Sequence, residues 1–262
     1  MSELEFHSVI VDVGGNNGGF AIPASRLNPS SRVISIEPIE ALASEMQRLS
    51  EGFGLKNLEV VRSAIGPQNG QAVINISSKG DWGTSSLLNF NNEALTKDPY
   101  WKSRSDLSFD AEQMTPVQTL ENLCTSRGIS RIDFLKIDAQ GMDLQVLQSS
   151  GTVEIAAGML EAPSSRRISL YQNEPDLRDC LNFLDQKGFD IEYIKPNDPA
   201  CNEFNVFFGR PGEFQKVTNE LRLNQIHLFS GFDFWHFPRS KPIRVPRLLS
   251  KLASIASKHE KF

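Results

Sequence analysis

Residues 8–18 read Ser-Val-Ile-Val-Asp-Val-Gly-Gly-Asn-Asn-Gly, an apolar run that stops abruptly in glycines and asparagines. Val9, Ile10, Val11 and Val13 have the near-continuous hydrophobicity of a strand buried on both faces. After the turn, residues 17–27 read as a helix. Strand, glycine turn and helix together open a βαβ unit of the kind that holds a nucleotide cofactor on backbone amides at a helix N-terminus. A dinucleotide fingerprint requires Gly-x-Gly-x-x-Gly, but the position two after Gly14 is Asn16. What stands here is Asp12-x-Gly14-x-Asn16-x-Gly18, with Asn17 inside it. A carboxylate just ahead of the turn would repel a pyrophosphate and attract the ammonium and sulfonium of S-adenosyl-L-methionine. The turn points to that cofactor and away from NAD.

Glu37 is the second anchor. Residues 32–37 form another short β run, and Glu37 closes it before Pro38 stops the strand. An acidic residue there is placed to accept both ribose hydroxyls. It would equally serve as a charge at the start of the helix read at 39–51.

The rest of the chain alternates. A strand at 58–65 is followed by the turn Gly66-Pro67-Gln68-Asn69-Gly70 and an alternating run at 72–77, which predicts a β-hairpin inserted after the third strand. Residues 78–114 are polar and too long for a plain connector, and such loops are usually functional or mobile. Then come strand 115–119, helix 120–127, strand 132–138, helix 144–148, strand 155–161, helix 174–187, and strands 189–195 and 203–209. This predicts an α/β fold with a mostly parallel sheet and helices on both faces. The last two strands suit an antiparallel pair at one edge, and the ligand belongs at the carboxyl ends of the strands.

Composition bounds the function. The chain has 262 residues, 39% of them hydrophobic, enough for one good-sized core. The sequence predicts neither a membrane span nor a signal peptide. Cys124, Cys180 and Cys201 are widely spaced, which fits a reducing, cytoplasmic setting. His7, His227, His236 and His259 lack metal-ligand spacing, so no metal is expected. Net charge is −5, but residues 239–262 carry seven Lys or Arg against Glu260, leaving −11 on residues 1–238. An acidic body argues against nucleic acid as a partner. The expected division is a cofactor-binding domain at 1–215 and an aromatic, then basic, extension at 216–262.

A second cluster lies at 132–147, Ile-Asp-Phe-Leu-Lys-Ile-Asp-Ala-Gln-Gly-Met-Asp-Leu-Gln-Val-Leu. Asp138 ends a strand on the same sheet edge as Gly14 and Glu37, where a carboxylate can take a proton from a substrate hydroxyl. A helix cap is the plainer role for it. Lys136, inside a strand that should be buried, either pairs with a carboxylate or runs its stem along the sheet edge.

Val-Asp-Val-Gly-Gly-Asn-Asn-Gly (11–18), Ile-Glu-Pro (36–38), Val-Val-Arg-Ser-Ala-Ile-Gly (60–66), Thr-Ser-Ser-Leu (84–87), Val-Gln-Thr-Leu (117–120) and Phe-Leu-Lys-Ile-Asp-Ala-Gln-Gly (134–141) occur in an order that resembles the FkbM-type methyltransferases. The resemblance implies the seven-stranded, Rossmann-like class I methyltransferase fold, S-adenosyl-L-methionine as donor, and O-methylation of a sugar or natural-product hydroxyl. It also implies that Asp12, Gly14, Asn16 and Gly18 hold the methionine moiety and Glu37 the ribose. Ser63 and Ala64 would flank the adenine, and Asp138 would face the reacting methyl. Relatives often carry Glu where this chain has Gln140 and Asp143, and they have helices ahead of the first strand. Both departures keep open a second function class, a binding module that keeps the cofactor fold without chemistry. N-methylation is a further alternative.

Three other features bear on the acceptor. Glu161, at the end of strand 155–161, is a second candidate for the base, or else a solvated strand end. The loop Asp81-Trp82-Gly83-Thr84-Ser85-Ser86 offers an aromatic face and hydroxyls, with Trp82, Ser85 and Ser86 as candidate carbohydrate contacts; a packed surface loop is the plain alternative. Residues 227–237 carry five large aromatics, which suit packing on the body, a second subunit in a homo-oligomer, or a lid over the cleft. The helix-spaced Leu248, Leu249, Leu252, Ile255 and Ala256 that follow, flanked by lysines, suit an anionic membrane surface or a docking partner.

Overall fold

A computed structural model of the chain describes residues 7–229. Strands β1 (Ser8–Val13), β2 (Ser31–Ile36) and β3 (Leu58–Val61) alternate with helices α1 (Ala21–Leu27) and α2 (Glu40–Gly52). Then follow β4 (Ala64–Ile65), β5 (Gly70–Ile76), α3 (Asn92–Lys97), α4 (Pro99–Ser103), β6 (Ala111–Gln118) and α5 (Leu120–Thr125). The chain continues through β7 (Arg131–Ile137), α6 (Asp143–Gln148), β8 (Glu154–Pro163) and α7 (Leu177–Gln186). It completes the order with β9 (Asp190–Pro196), β10 (Glu203–Gly209) and α8 (Glu213–Glu220).

Seven strands form one sheet in the order β3-β2-β1-β7-β8-β10-β9. The first five run parallel, and β10 lies antiparallel between β8 and β9. The expected edge pair is therefore present. Strand order reverses between β1 and β7, so the chain ends leaving these two strands diverge and open a crevice.

Both faces of the sheet are covered because neighbouring strand residues point to opposite sides. Ile10 joins Phe20, Met46, Phe134, Phe207 and Phe214 in one core, whereas Val11 joins Ile34, Leu123, Leu135, Leu184 and Phe208 in the other. Helix α2 buries Ala43, Met46 and Ser50, and α8 buries Phe214, Val217 and Thr218, each along one stripe.

Four expectations require correction. Helix α1 begins at Ala21, not residue 17, because Gly14, Asn16 and Gly18 have positive φ and carry the chain through turns. The predicted hairpin is replaced by a second, three-stranded sheet, β4-β6-β5. Arg62 and Ser63 interrupt the run at 58–65, leaving β4 two residues long, and β5 instead pairs along its length with β6. The polar segment at 78–114 is largely folded. Asn91 and Asp98 cap α3 and α4, Pro99 opens α4, and Phe90, Ala94, Trp101, Leu170 and Tyr171 form a small core of their own. Finally, a boundary at 215/216 would cut α8. Val217, Leu221, Leu223 and Ile226 are buried in the main core, which therefore extends past it.

The expectations for the aromatics beyond Phe229 and for the basic helix at 248–257 lie outside the described residues. Among those described, no helix is long and apolar enough to cross a membrane.

A chain ended at residue 215 should not fold stably. It would lose four buried side chains worth about 1.5–3 kcal/mol each, a sum comparable to the whole stability of a domain. Circular dichroism and thermal melting of the 1–215 and 1–229 chains would check this, with cooperative melting expected for the second alone.

Candidate active site

A cleft of about 1210 Å³ opens where strand order reverses, bounded by the ends of β1, β2 and β7 and by the insert that precedes β6. That exceeds the roughly 300–1,000 Å³ of a site for one small ligand, so it has room for a donor and an acceptor.

Gly14, Gly15, Asn16, Asn17 and Gly19 form the floor at the end of β1. Gly14 and Gly15 both donate backbone N–H groups to the Ile36 carbonyl, at 3.0 Å. A Cβ on Gly14 would lie 1.8 Å from the Asp138 carbonyl oxygen, so glycine is required for the turns after β1 and β7 to meet. The reason is backbone against backbone. Gly18 forms no part of the cleft wall; it packs on Ile22 and Met46 behind the turn.

Asp12 is also behind the wall, fully buried, contrary to the reading that faced it toward the cofactor's positive charges. The turn doubles back over it, bringing Gly15 against Ser35 Oγ and Asp12 Oδ2. Its Oδ2 accepts from Ser35 Oγ at 2.8 Å, and its Oδ1 lies 3.0 Å from Lys136 Nζ. Lys136 thus pairs with a carboxylate. Its Nζ also donates to the Gly14 carbonyl at 3.3 Å and lies 3.6 Å from Asp138 Oδ2. Burial works against the ammonium, but the Asp12 and Asp138 carboxylates outweigh it and hold its pKa above the usual lysine range.

Glu37 lines the cleft, and each of its oxygens is held by a backbone amide. Asn16 N donates to Oε2 and Ile39 N to Oε1, both at 2.8 Å. Two hydrogen bonds leave a carboxylate with further lone pairs for ribose hydroxyls. Burial pushes its pKa up to about 7 against those two bonds. Ser63 and Ala64 lie in the same wall, with Ile39, Leu42, Ile65 and Ile74 as apolar surface suited to a planar base. Ser63 Oγ is directed at the Ala64 and Pro116 carbonyls, at 2.9 and 3.1 Å.

Asp138 faces the cleft from the end of β7, with its side chain 37% exposed. Its Oδ1 accepts from Gln140 Nε2 at 2.7 Å. Glu161, the other candidate base, is buried behind Gln140 and forms no part of the cleft wall. It is instead enclosed by Gln140 and Asn197, whose side-chain amides donate to its two oxygens. Burial pushes its pKa well above the carboxylate range, and Glu203, Asp138 and Asp143 add to the effect. The β8 end holds Glu161 because β10 covers it, with Asn205 directly opposite.

Trp82, Ser85 and Ser86 come together in the cleft wall, on the insert. Ser85 Oγ accepts from Ser77 N at 3.1 Å, and Ser86 Oγ donates to the Gln140 carbonyl at 2.6 Å. Arg104, which the motif reading missed, pins the insert. Its guanidinium reaches Asp106 at 2.7 and 2.8 Å and Asp81 at 3.0 Å. The Asp98-Pro99 cap signal marked the helix that leads into it. Ile226, His227 and Leu228 also border the cleft, so the first residues of the aromatic segment reach it. Among the described residues, no group of His, Cys, Asp and Glu suits a metal ion.

A sequence profile of the methyltransferase FkbM domain matches residues 12–191. The chain belongs to the FkbM methyltransferase family. Methyltransferase 1 of Beauveria bassiana (strain ARSEF 2860) is 23% identical over 193 residues, covering 72% of this chain and 75% of that one. 2-O-methyltransferase NoeI of Sinorhizobium fredii (strain NBRC 101917 / NGR234) is 24% identical over 181 residues, covering 67% and 70%. Among solved structures, an rRNA methylase from Streptococcus thermophilus overlaps 79% of this chain and 87% of its own, at 11% identity and a TM-score of 0.42. The FkbM methyltransferase described here uses S-adenosyl-L-methionine as cofactor. The glycine floor, Glu37 and the apolar wall fit that group.

Two predictions follow from the buried charges. Lys136→Met strands the Asp12 carboxylate in the core and should destabilise the fold by about 3–5 kcal/mol in urea melts. Glu37 and Asp143 are pushed up to about 7 and Glu203 to about 8, in each case first by burial. The unfolded chain gives up these protons from about pH 4 to 5, whereas the folded chain keeps them until about pH 7 to 8. Folding is therefore favoured below that window and weakened as pH rises through it. Scanning fluorimetry of the ligand-free protein should show melting temperature falling from about pH 5 to pH 8, less steeply in Glu203→Gln.

Proposed function

We propose that the enzyme methylates a hydroxyl oxygen of a carbohydrate or small natural-product acceptor, with Asp138 as general base. One observation carries this reading. A partly exposed carboxylate ends β7 at the point where strand order reverses, in a cleft that Trp82, Ser85 and Ser86 also line. The cofactor supplies a methyl group already activated at a sulfonium, so the protein's work is alignment and proton removal. Glu37 and the glycine floor hold the donor side. Asp138 accepts the proton of the acceptor hydroxyl, and the Lys136 ammonium stands beside the carboxylate that does so. Trp82 offers a flat face for a sugar ring and Ser85 a hydroxyl for its polar edge. A hydroxyl needs such a base at neutral pH because it must lose its proton as the new bond forms. The name of the relative 2-O-methyltransferase NoeI agrees with oxygen as the acceptor atom.

The acceptor is best sought as a mass gain of one methylene, about 14 Da, when the enzyme and cofactor are incubated with extracted glycans and metabolites. Gains confined to amines would overturn the oxygen assignment. Release of no S-adenosylhomocysteine with any extract would favour the binding-module alternative. With an acceptor found, Asp138→Asn should slow turnover by about two to four orders of magnitude while leaving cofactor affinity nearly unchanged in calorimetry. Near-normal turnover in that variant would remove Asp138 as the base.

A further inference from the structure

Gln140 sits with φ at 48°, in the left-handed region that a side chain with a Cβ rarely adopts. Every polar group of its side chain is engaged. Nε2 donates to Asp138 Oδ1 at 2.7 Å and to Glu161 Oε2 at 3.2 Å, while Oε1 and the Tyr171 hydroxyl are 2.9 Å apart. The Gln140 backbone carbonyl accepts from Ser86 Oγ at 2.6 Å. Two carboxylates on one side and a hydroxyl on the other admit a single orientation of the amide, because only its nitrogen has two protons to give. Tyr171 is itself held in the insert's small core, with its hydroxyl also 2.9 Å from the Thr84 carbonyl.

We infer that Gln140 is a positioning residue of the transfer reaction, which orients the Asp138 carboxylate from Oδ1 and ties that orientation to the insert through Tyr171 and Ser86. This rests on Asp138 being the base. The groups around Asp138 explain why an amide is needed. Lys136 faces it from its own strand, Asp143 from α6, Glu161 from β8 and Glu203 from β10, with Tyr171 ahead of α7. Three of these are acids besides Asp138 itself. A neutral side chain that donates to two of the carboxylates separates them without adding charge, whereas a carboxylate at 140 would have to acquire a proton to make either bond. The amide also restricts rotation about the Asp138 side chain, so the oxygen offered to the acceptor does not depend on the acceptor's arrival.

The test uses the full chain loaded with S-adenosylhomocysteine, in wild type, Gln140→Leu, Gln140→Glu and Tyr171→Phe. Calorimetry with S-adenosylhomocysteine shows whether each variant retains the folded cofactor site. Carbon-13 NMR of labelled Asp and Glu carboxyls, with Asp138 assigned by loss of its signal in Asp138→Asn, then follows its titration. Losing a hydrogen bond to the ionised form should move the Asp138 midpoint up by about one pH unit in Gln140→Leu, further in Gln140→Glu, and less in Tyr171→Phe. An unmoved midpoint in Gln140→Leu with normal S-adenosylhomocysteine affinity overturns the proposal. If Gln140→Leu does not bind S-adenosylhomocysteine, Tyr171→Phe decides: an unmoved midpoint there overturns it, and an upward shift supports it. The turnover of Asp138→Asn tests the base assignment separately, so a shifted titration beside an active Asp138→Asn would refute the base and leave the amide's hold on Asp138 standing.

Discussion

The side chain of Lys136 is 8% exposed in the middle strand pair of the sheet, and the junction of β1 with β7 is built around its charge. A lone ammonium in such a place is costly. Here it lies between the Asp12 carboxylate, the Gly14 carbonyl and Asp138, so one cation joins the last residues of β1 to those of β7. The same junction needs Gly14, since any side chain there would run into the Asp138 carbonyl. Charge pairing and close backbone approach together set how the two strand ends open, and that opening is the crevice lined by Gly14, Glu37 and Asp138.

The carboxylates around the cleft divide by burial into different roles. Asp138 is partly exposed and faces the cleft; Glu161 lies deeper and is enclosed by amides. Asp143, at the start of α6, accepts from the backbone of Ala139 and Glu161 and so fastens the β7 and β8 ends to each other. Crowding five or six acids in one region weakens the folded state as pH rises, since burial and mutual repulsion both oppose ionisation. Lys136, the amide of Gln140 and the backbone N–H groups offset part of that cost.

The insert between β5 and β6 lines one side of the cleft. It packs through the cluster around Trp101 and Tyr171 and, by Trp82 and Leu87, against Ile39 and Ile74, and polar contacts add to this: the Arg104 guanidinium on Asp81 and Asp106, and Asp110 on Ser78. Arg104, its side chain only 4% exposed, orders the loop from within, and loops anchored on a rigid sheet are where binding residues tend to collect. The two sides of the cleft are thus held differently, one by the strand ends of the main sheet and one by apolar packing, ion pairs and caps together.

The sequence by itself determined the alternation of strands and helices, the parallel sheet with its antiparallel edge and the glycine floor, because these depend on local patterns of hydrophobicity and turn chemistry, whereas the cofactor follows from the family and not from Asp12, which is buried. It also located Glu37 and Asp138 at the right sheet edge, since strand direction follows from chain order in a βαβ fold. Tertiary structure alone decided the partners. Whether Asp12 faced a ligand or Lys136, whether Glu161 reached the cleft or lay behind Gln140, and whether β5 paired with β3 or with β6 all turn on residues distant in the chain. Local propensity is the same for either outcome in each case. What distinguishes them is which surfaces the packed sheet covers.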